Sequence, residues 1–109
     1  FLCFAGFSTG AYGKDGDTYK GSAIHAMINA NAIIDWINIM AYDAGSSFDP
    51  LGAFDCYRIY YGGVLYLGFQ PGVQGWGGHL TTEAEVKKHP FQQEIVLREF
   101  SPDGAVTDW

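Results

Sequence analysis

The sequence predicts an α/β fold made of three successive strand–loop–helix units, and three observations carry that prediction. Short apolar runs alternate with stretches of helical periodicity, the pattern of βαβ units on a parallel sheet. The apolar runs alternate their side chains with a period of two. Each run ends in a loop of small or turn-forming residues, as in Gly6-Phe7-Ser8-Thr9-Gly10 and Ala44-Gly45-Ser46-Ser47.

The first unit opens with Phe1 to Ser8 as a strand. A glycine-containing linker, Tyr12 to Gly16, leads to a helix predicted from about Asp17 to Ala32. There Ala23, Ile24, Met27, Ile28 and Asn31 recur at three-and-four spacing, which puts the apolar members on one stripe and leaves Lys20 and His25 outside. The second unit opens with the strand Ile33 to Asp43, whose end carries a tyrosine hydroxyl and a carboxylate into the loop. Its alternation sends Asp35, Ile37, Ile39 and Ala41 to one face, fit to lie under helices. Trp36, Asn38, Met40 and Tyr42 go to the other face. Asp49-Pro50 opens its helix as N-cap and first helical residue. Leu51, Phe54, Tyr57 or Arg58, and Tyr61 follow the helical period, and Gly62-Gly63 stops it.

In the third unit Val64 to Gln70 forms the strand, with Leu65, Leu67 and Phe69 toward helices and Val64, Tyr66, Gly68 and Gln70 on the opposite face. Pro71 to Leu80 is its loop, and Thr82-Glu83-Ala84-Glu85 gives a capping box for the next helix. His89-Pro90 interrupts that helix, since proline lacks the needed N–H. Beyond it, Gln92 to Phe100 is expected to resume a helix with Ile95, Val96 and Phe100 buried. Asp103 to Trp109 reads either as a degraded further strand or as an unrelated tail. The chain thus divides into residues 1–88 and a divergent segment, residues 89–109.

The totals narrow the function. A net charge of −6, with only six scattered Lys and Arg, argues against a nucleic-acid partner. No apolar run reaches the ~20 residues of a membrane span. Cys3 and Cys56 make no disulfide framework and read as small buried hydrophobes. His25, His79 and His89 lack metal-ligand spacing and read as surface or loop residues, so no metal or other cofactor is expected. Gly72 to Gly78 could cradle a phosphate on backbone N–H groups, but it lacks the Lys-Ser/Thr ending of a P-loop. No Gly-x-Ser-x-Gly elbow supports a serine hydrolase.

The run Asp35-Trp36-Ile37-Asn38-Ile39-Met40-Ala41-Tyr42-Asp43 resembles the sixth-strand signature of glycoside hydrolase family 18, the chitinase family. Val64 to Pro71 with Trp76-Gly77-Gly78 resembles the seventh strand and its loop, and Phe1 to Ser8 would be the fifth. The resemblance covers roughly residues 1 to 88. It implies a partial TIM (β/α)8 barrel of about three parallel βα units. A whole barrel takes about 250 residues, so a chain of 109 is expected to be a piece that completes its ring with a missing N-terminal part. Extracellular location follows from the resemblance alone.

The resemblance also implies chemistry. Family 18 enzymes use the substrate's own N-acetyl group as nucleophile, an exception to the two-carboxylate scheme. Tyr42 matches the hydroxyl that aligns the acetamido oxygen, Asp43 the neighbouring carboxylate, and Met40 the floor of the subsite. Gln70 could hydrogen-bond a sugar hydroxyl, and Trp76 could stack on a pyranose ring. The partner implied is chitin or an N-acetylglucosamine oligosaccharide. The family's catalytic acid closes an Asp-x-x-Asp-x-Asp-x-Glu motif that this chain lacks. Glu83, Glu85, Glu94 and Glu99 are all expected in the C-terminal helical stretch, so the chain alone is expected to be inactive. A lectin-like member that binds without cleaving, or a non-functional remnant, fits the same residues.

Overall fold

Alternation along the strands settles which side of the sheet is buried, and the helices then cover that side. A computed structural model describes residues 1–13, 20–70, 77–78, 83–90, 92–100 and 106–108, with backbone alone at 83, 92, 100 and 106–108. Four parallel strands, β1 (Cys3–Phe7), β2 (Trp36–Met40), β3 (Val64–Phe69) and β4 (Val96–Phe100), lie side by side in chain order. A fifth, β5 (Val106–Asp108), pairs antiparallel with β4. Helices α1 (Ile24–Ala30), α2 (Pro50–Tyr60) and α3 (Glu83–Lys88) fall between consecutive parallel strands, and a 3₁₀ turn (Gln92–Glu94) precedes β4. The molecule is therefore a small α/β domain on an open, mostly parallel sheet.

Ile37, Ile39, Leu65 and Leu67 are fully buried on the covered face, with Phe69 and Leu97 nearly so. Each such side chain stabilises the fold by about 1.5–3 kcal/mol relative to exposure. Met27 from α1 and Ala53, Phe54 and Tyr57 from α2 close over them. Both buried tyrosines of this layer solve the same problem: a phenol taken from water needs an acceptor. Tyr57 donates to the Phe7 carbonyl at 2.7 Å, and Tyr61 donates to the Ile34 carbonyl at 2.8 Å. Gly6 and Gly10 make room for the first, because a Cβ at either would collide with the Tyr57 hydroxyl. At the other end of the sheet, Asp35 accepts from the Leu2 N–H at 2.7 Å while its own N–H donates to the Leu2 carbonyl at 2.8 Å, tying the starts of β1 and β2.

Helix α2 starts at Pro50 as its sequence predicts, with Asp49 extended before it, yet the Asp49 carboxylate makes no capping bond. It lies against Gly52 instead. Tyr61 leaves the helical conformation one residue ahead of Gly62-Gly63. Arg58 finishes the helix, donating to the carbonyls of Tyr61 at 3.1 Å and Gly63 at 2.7 Å, where the helix's own donors have run out.

Several expectations are corrected. Residues 96–100 are a strand, not a resumed helix, because Val96 and Leu97 complete the β3 edge in register with Tyr66 and Leu67. Glu99 therefore stands on a strand, not in a helical stretch. The Val106–Asp108 strand is antiparallel, so it is not a further parallel member of the series. Helix α1 spans only Ile24–Ala30, and Ile28 is 60% exposed, outside the stripe expected to bury it. Cys3 is exposed and so no core residue, whereas Cys56 is half-buried and packs against the core. His25 is exposed as expected, but His89 pairs with Asp55 at 2.9 Å with its own side chain largely buried. His79, Thr82 of the capping box, Trp76, Trp109 and most of Gly72 to Gly78 lie outside the described residues.

Candidate functional site

Of the residues singled out from the sequence, Met40, Tyr42, Asp43 and Gln70 lie at or just past the C-terminal ends of β2 and β3, and Trp76 lies outside the described residues. Met40 is the last residue of β2, half-buried, on the face opposite the helices. Tyr42 and Asp43 follow the strand after Ala41, whose N–H donates to the Gly68 carbonyl at 3.2 Å. That bond carries the pairing of β2 with β3 one residue past the strand. Gln70 follows β3 directly and is half-buried, two residues beyond Gly68, which pairs with Met40 in register. Tyr42 and Gln70 thus continue two adjacent strands at their ends.

Asp43 has φ of 54°, the one non-glycine residue in the left-handed region among the described residues. This conformation costs about 1–2 kcal/mol for an ordinary residue and is borne best by Asn and Asp. The strand therefore ends in a sharp redirection of the chain. Gly45, at φ of 97°, continues the turn and donates its N–H to the Gly77 carbonyl at 3.1 Å, which ties the loop after β2 to the loop after β3. On the other side, the ring of Phe48 stacks near that of Tyr12, with centroids 6.2 Å apart.

Burial raises the Tyr42 phenol above its ordinary pKa, so the hydroxyl is neutral and able to donate at neutral pH. The Tyr12 phenol is also raised, mainly by burial and further by Cys56 and Asp49. Two cavities lined wholly by described residues lie elsewhere. One of about 240 Å³ runs along β1 and the start of α1. Another, of about 490 Å³, sits between α2 and the His89-Pro90 turn. Among the described residues, no three His, Cys, Asp or Glu side chains gather as metal ligands would.

Glu99 does not join Met40 and Tyr42. Its register partner is Phe69, and strand alternation gives it the face shared with Leu67 and Phe69.

A polar constellation on the open face escaped the sequence reading. Arg98 of β4 lays its guanidinium 3.7 Å over the ring of Tyr66 on β3 and donates from Nη1 to Asn38 Oδ1 on β2 at 2.7 Å. Side chains thereby add a link across three adjacent strands already paired through their backbones. The signal for it was present: Ile95 to Phe100 is rich in strand-forming residues and precedes the turn-forming run Pro102-Asp103-Gly104. Reading it as a helix hid the alternation that puts Arg98 beside Tyr66. No helix among the described residues is long and apolar enough to cross a membrane. No protein-family model, curated protein or solved structure matches the chain.

Proposed function

We propose that this chain is part of a chitinase-like glycoside hydrolase of family 18, contributing consecutive strands of a (β/α)8 barrel and one side of a site for β-1,4-linked N-acetylglucosamine. The observation that carries the reading is the placement of Asp35 to Asp43. Within it Trp36–Met40 is an inner parallel strand, Met40 is its last residue, and Tyr42 and Asp43 come in the turn that follows. Sequential neighbours with a helix between each pair agree with a barrel segment, and β4 extends the series to four parallel strands. Ligands of such sheets bind beyond the C-terminal strand ends.

In this reading the Tyr42 hydroxyl donates to the acetamido carbonyl and holds its oxygen in line with the anomeric carbon. That oxygen attacks to form an oxazolinium ion as the glycosidic bond breaks, and Asp43 stabilises the positive charge. The leaving oxygen needs a proton from an acid that this sequence does not carry in the family's motif. The chain alone is therefore expected to bind without cleaving. A non-catalytic, lectin-like barrel is the second reading, favoured by the position of Glu99 away from Met40. Titration with chitotriose tests both: binding is expected, weakened in Tyr42→Phe, with no turnover of a chromogenic chitobioside. Unchanged affinity in Tyr42→Phe removes the hydroxyl's role, and turnover by the chain removes the claim of inactivity.

A further inference from the structure

We propose that the outer edge of β1 is a self-association surface, along which a second copy of this chain pairs antiparallel about a two-fold axis at Phe4. This pairing is independent of any sugar site. Among the described residues β1 pairs with β2 alone. Its main-chain groups alternate between the two sides. The Leu2 carbonyl turns to β2, where it accepts from the Asp35 N–H at 2.8 Å, whereas the Phe7 carbonyl turns away, to Tyr57 and Gly10. Cys3 and Ala5, in step with Phe7, therefore aim their N–H and C=O groups outward, and both residues are exposed. Edge strands are ordinarily guarded against such pairing by charge, proline or a bulge. Phe1 to Tyr12 contains no Asp, Glu, Lys, Arg or Pro.

Self-complementarity selects the second copy and its register. An axis at Phe4 sets Cys3 opposite Ala5 of the second copy, and such a pair exchanges both of its N–H···O=C bonds. Symmetry repeats the pair, so the outward groups of Cys3 and Ala5 are all satisfied in both copies. The covered face fits as well. There Leu2, half-exposed, falls opposite Gly6 of the second copy, and Phe4 falls opposite its twin. Phe4 and Gly6 line the cavity of about 240 Å³ beside β1, and its other wall is Ser22, Ala23 and Ala26. Small residues thus leave room where the leucine arrives. The assembly closes at two, because a head-to-tail stack would need β1 beside β4, where β5 already pairs. A five-residue strand pairing buries less than the roughly 1,200 Å² of a stable complex. The dimer is therefore reversible, with a Kd of roughly 10–100 μM. Each copy carries −6, so added salt favours it.

Sedimentation velocity of the full chain from about 5 to about 500 μM brackets that affinity. Monomer should pass to dimer with no larger species, and the midpoint should fall as salt is added. Ala5→Pro removes an outward N–H without touching the pairing with β2, and should weaken the dimer roughly tenfold or more. If Ala5→Pro does not fold, as judged by circular dichroism, Cys3→Asp puts like charges on the paired edge and should produce the same loss. Cross-linking reads the register. Ala5→Cys sets a thiol opposite Cys3 of the second copy, with Cα atoms about 5.5 Å apart, so mild oxidation should trap a dimer. In the wild type Cys3 and its twin stand roughly 8–9 Å apart, beyond disulfide reach, and should not be trapped. Ala5→Cys combined with Cys3→Ser should not be trapped either. Equal trapping in all three overturns the register. A chain that stays monomeric throughout, or that grows beyond a dimer, overturns the proposal. Monomers would leave the edge to a strand of other sequence, the neighbour a barrel supplies, so that failure leaves the chitin reading standing.

Discussion

The two faces of one sheet are built from alternate residues of the same strands, yet they are finished by different chemistry. On the covered face, aliphatic side chains meet helices, and the Tyr57 and Tyr61 hydroxyls brought in among them are matched to backbone carbonyls. On the open face, Asn38, Tyr66 and Arg98 satisfy one another through side chains, beside exposed Cys3, Phe7 and Val64. The difference teaches where tolerance to change resides. Backbone-anchored polar groups in a dry layer hold the fold from within, while on the open face side chains from distant parts of the chain hold one another.

The sharpest way to break the comparison is a matched truncation. Leu67 is fully buried and Met40 half-buried, on opposite faces of neighbouring strands. Leu67→Ala should cost about 2–5 kcal/mol through lost burial and the cavity left behind. Met40→Ala should cost less than about half of that, because its site is already open to water. Urea unfolding measures both, and equal losses would show that the open face is buried in solution.

Next in size is the addition of one methyl group. Gly6→Ala places a Cβ against the Tyr57 hydroxyl, so either the phenol or the strand must move. Overpacking of this kind costs about 1–3 kcal/mol. Pairing Gly6→Ala with Tyr57→Phe removes the clashing oxygen and should recover part of the loss. A double mutant no better than the sum of its parts would deny that the two positions are coupled.

Tyr57→Phe alone is gentler at neutral pH, costing about 1 kcal/mol for its bond to the Phe7 carbonyl. Its pH dependence is more telling. Burial lifts the Tyr57 phenol well above its ordinary 10.0 in the folded chain. Below pH 10 the phenol is neutral in both states and its contribution is intact. As pH rises through 10 the unfolded chain ionises first, so stability falls. Burial also raises Tyr12, Tyr42 and Tyr61, and it raises the Cys56 thiol above 9.0, so the wild-type decline begins near pH 9. Tyr57→Phe should flatten part of that decline, as read from unfolding midpoints between pH 8 and pH 11.

Much of this division was legible in the sequence, because period-two alternation in Trp36 to Met40 and Val64 to Phe69 reports burial directly. The start of α2 was equally plain, since Asp49-Pro50 acts through local backbone geometry. What escaped depends on partners distant in the chain. Ile95 to Phe100 carries strand-forming residues, but only the waiting edge of β3 makes it a strand. Asn38 and Arg98 are 60 residues apart, and neither announces the other. The exposure of Cys3 has the same origin, for a residue on an alternating strand is buried only if something covers its face.

The smallest expected effect is also the cheapest to read, and it turns on that last point. Cys3 is exposed on the open face, whereas Cys56 is half-buried on α2. Burial raises the Cys56 thiol first, and the negative fields of Asp55 and Asp49 raise it further, so less thiolate is present at any given pH. The thiolate is the reacting species. Labelling of the native protein with a chromogenic disulfide should therefore show one fast and one slow thiol, and Cys3→Ser should delete the fast phase. In urea the two should converge, since the covering structure is gone. A single native rate for both, with the fold verified intact, would mean that the open face is as protected as the helical layer, and the contrast between the two faces would lose its basis.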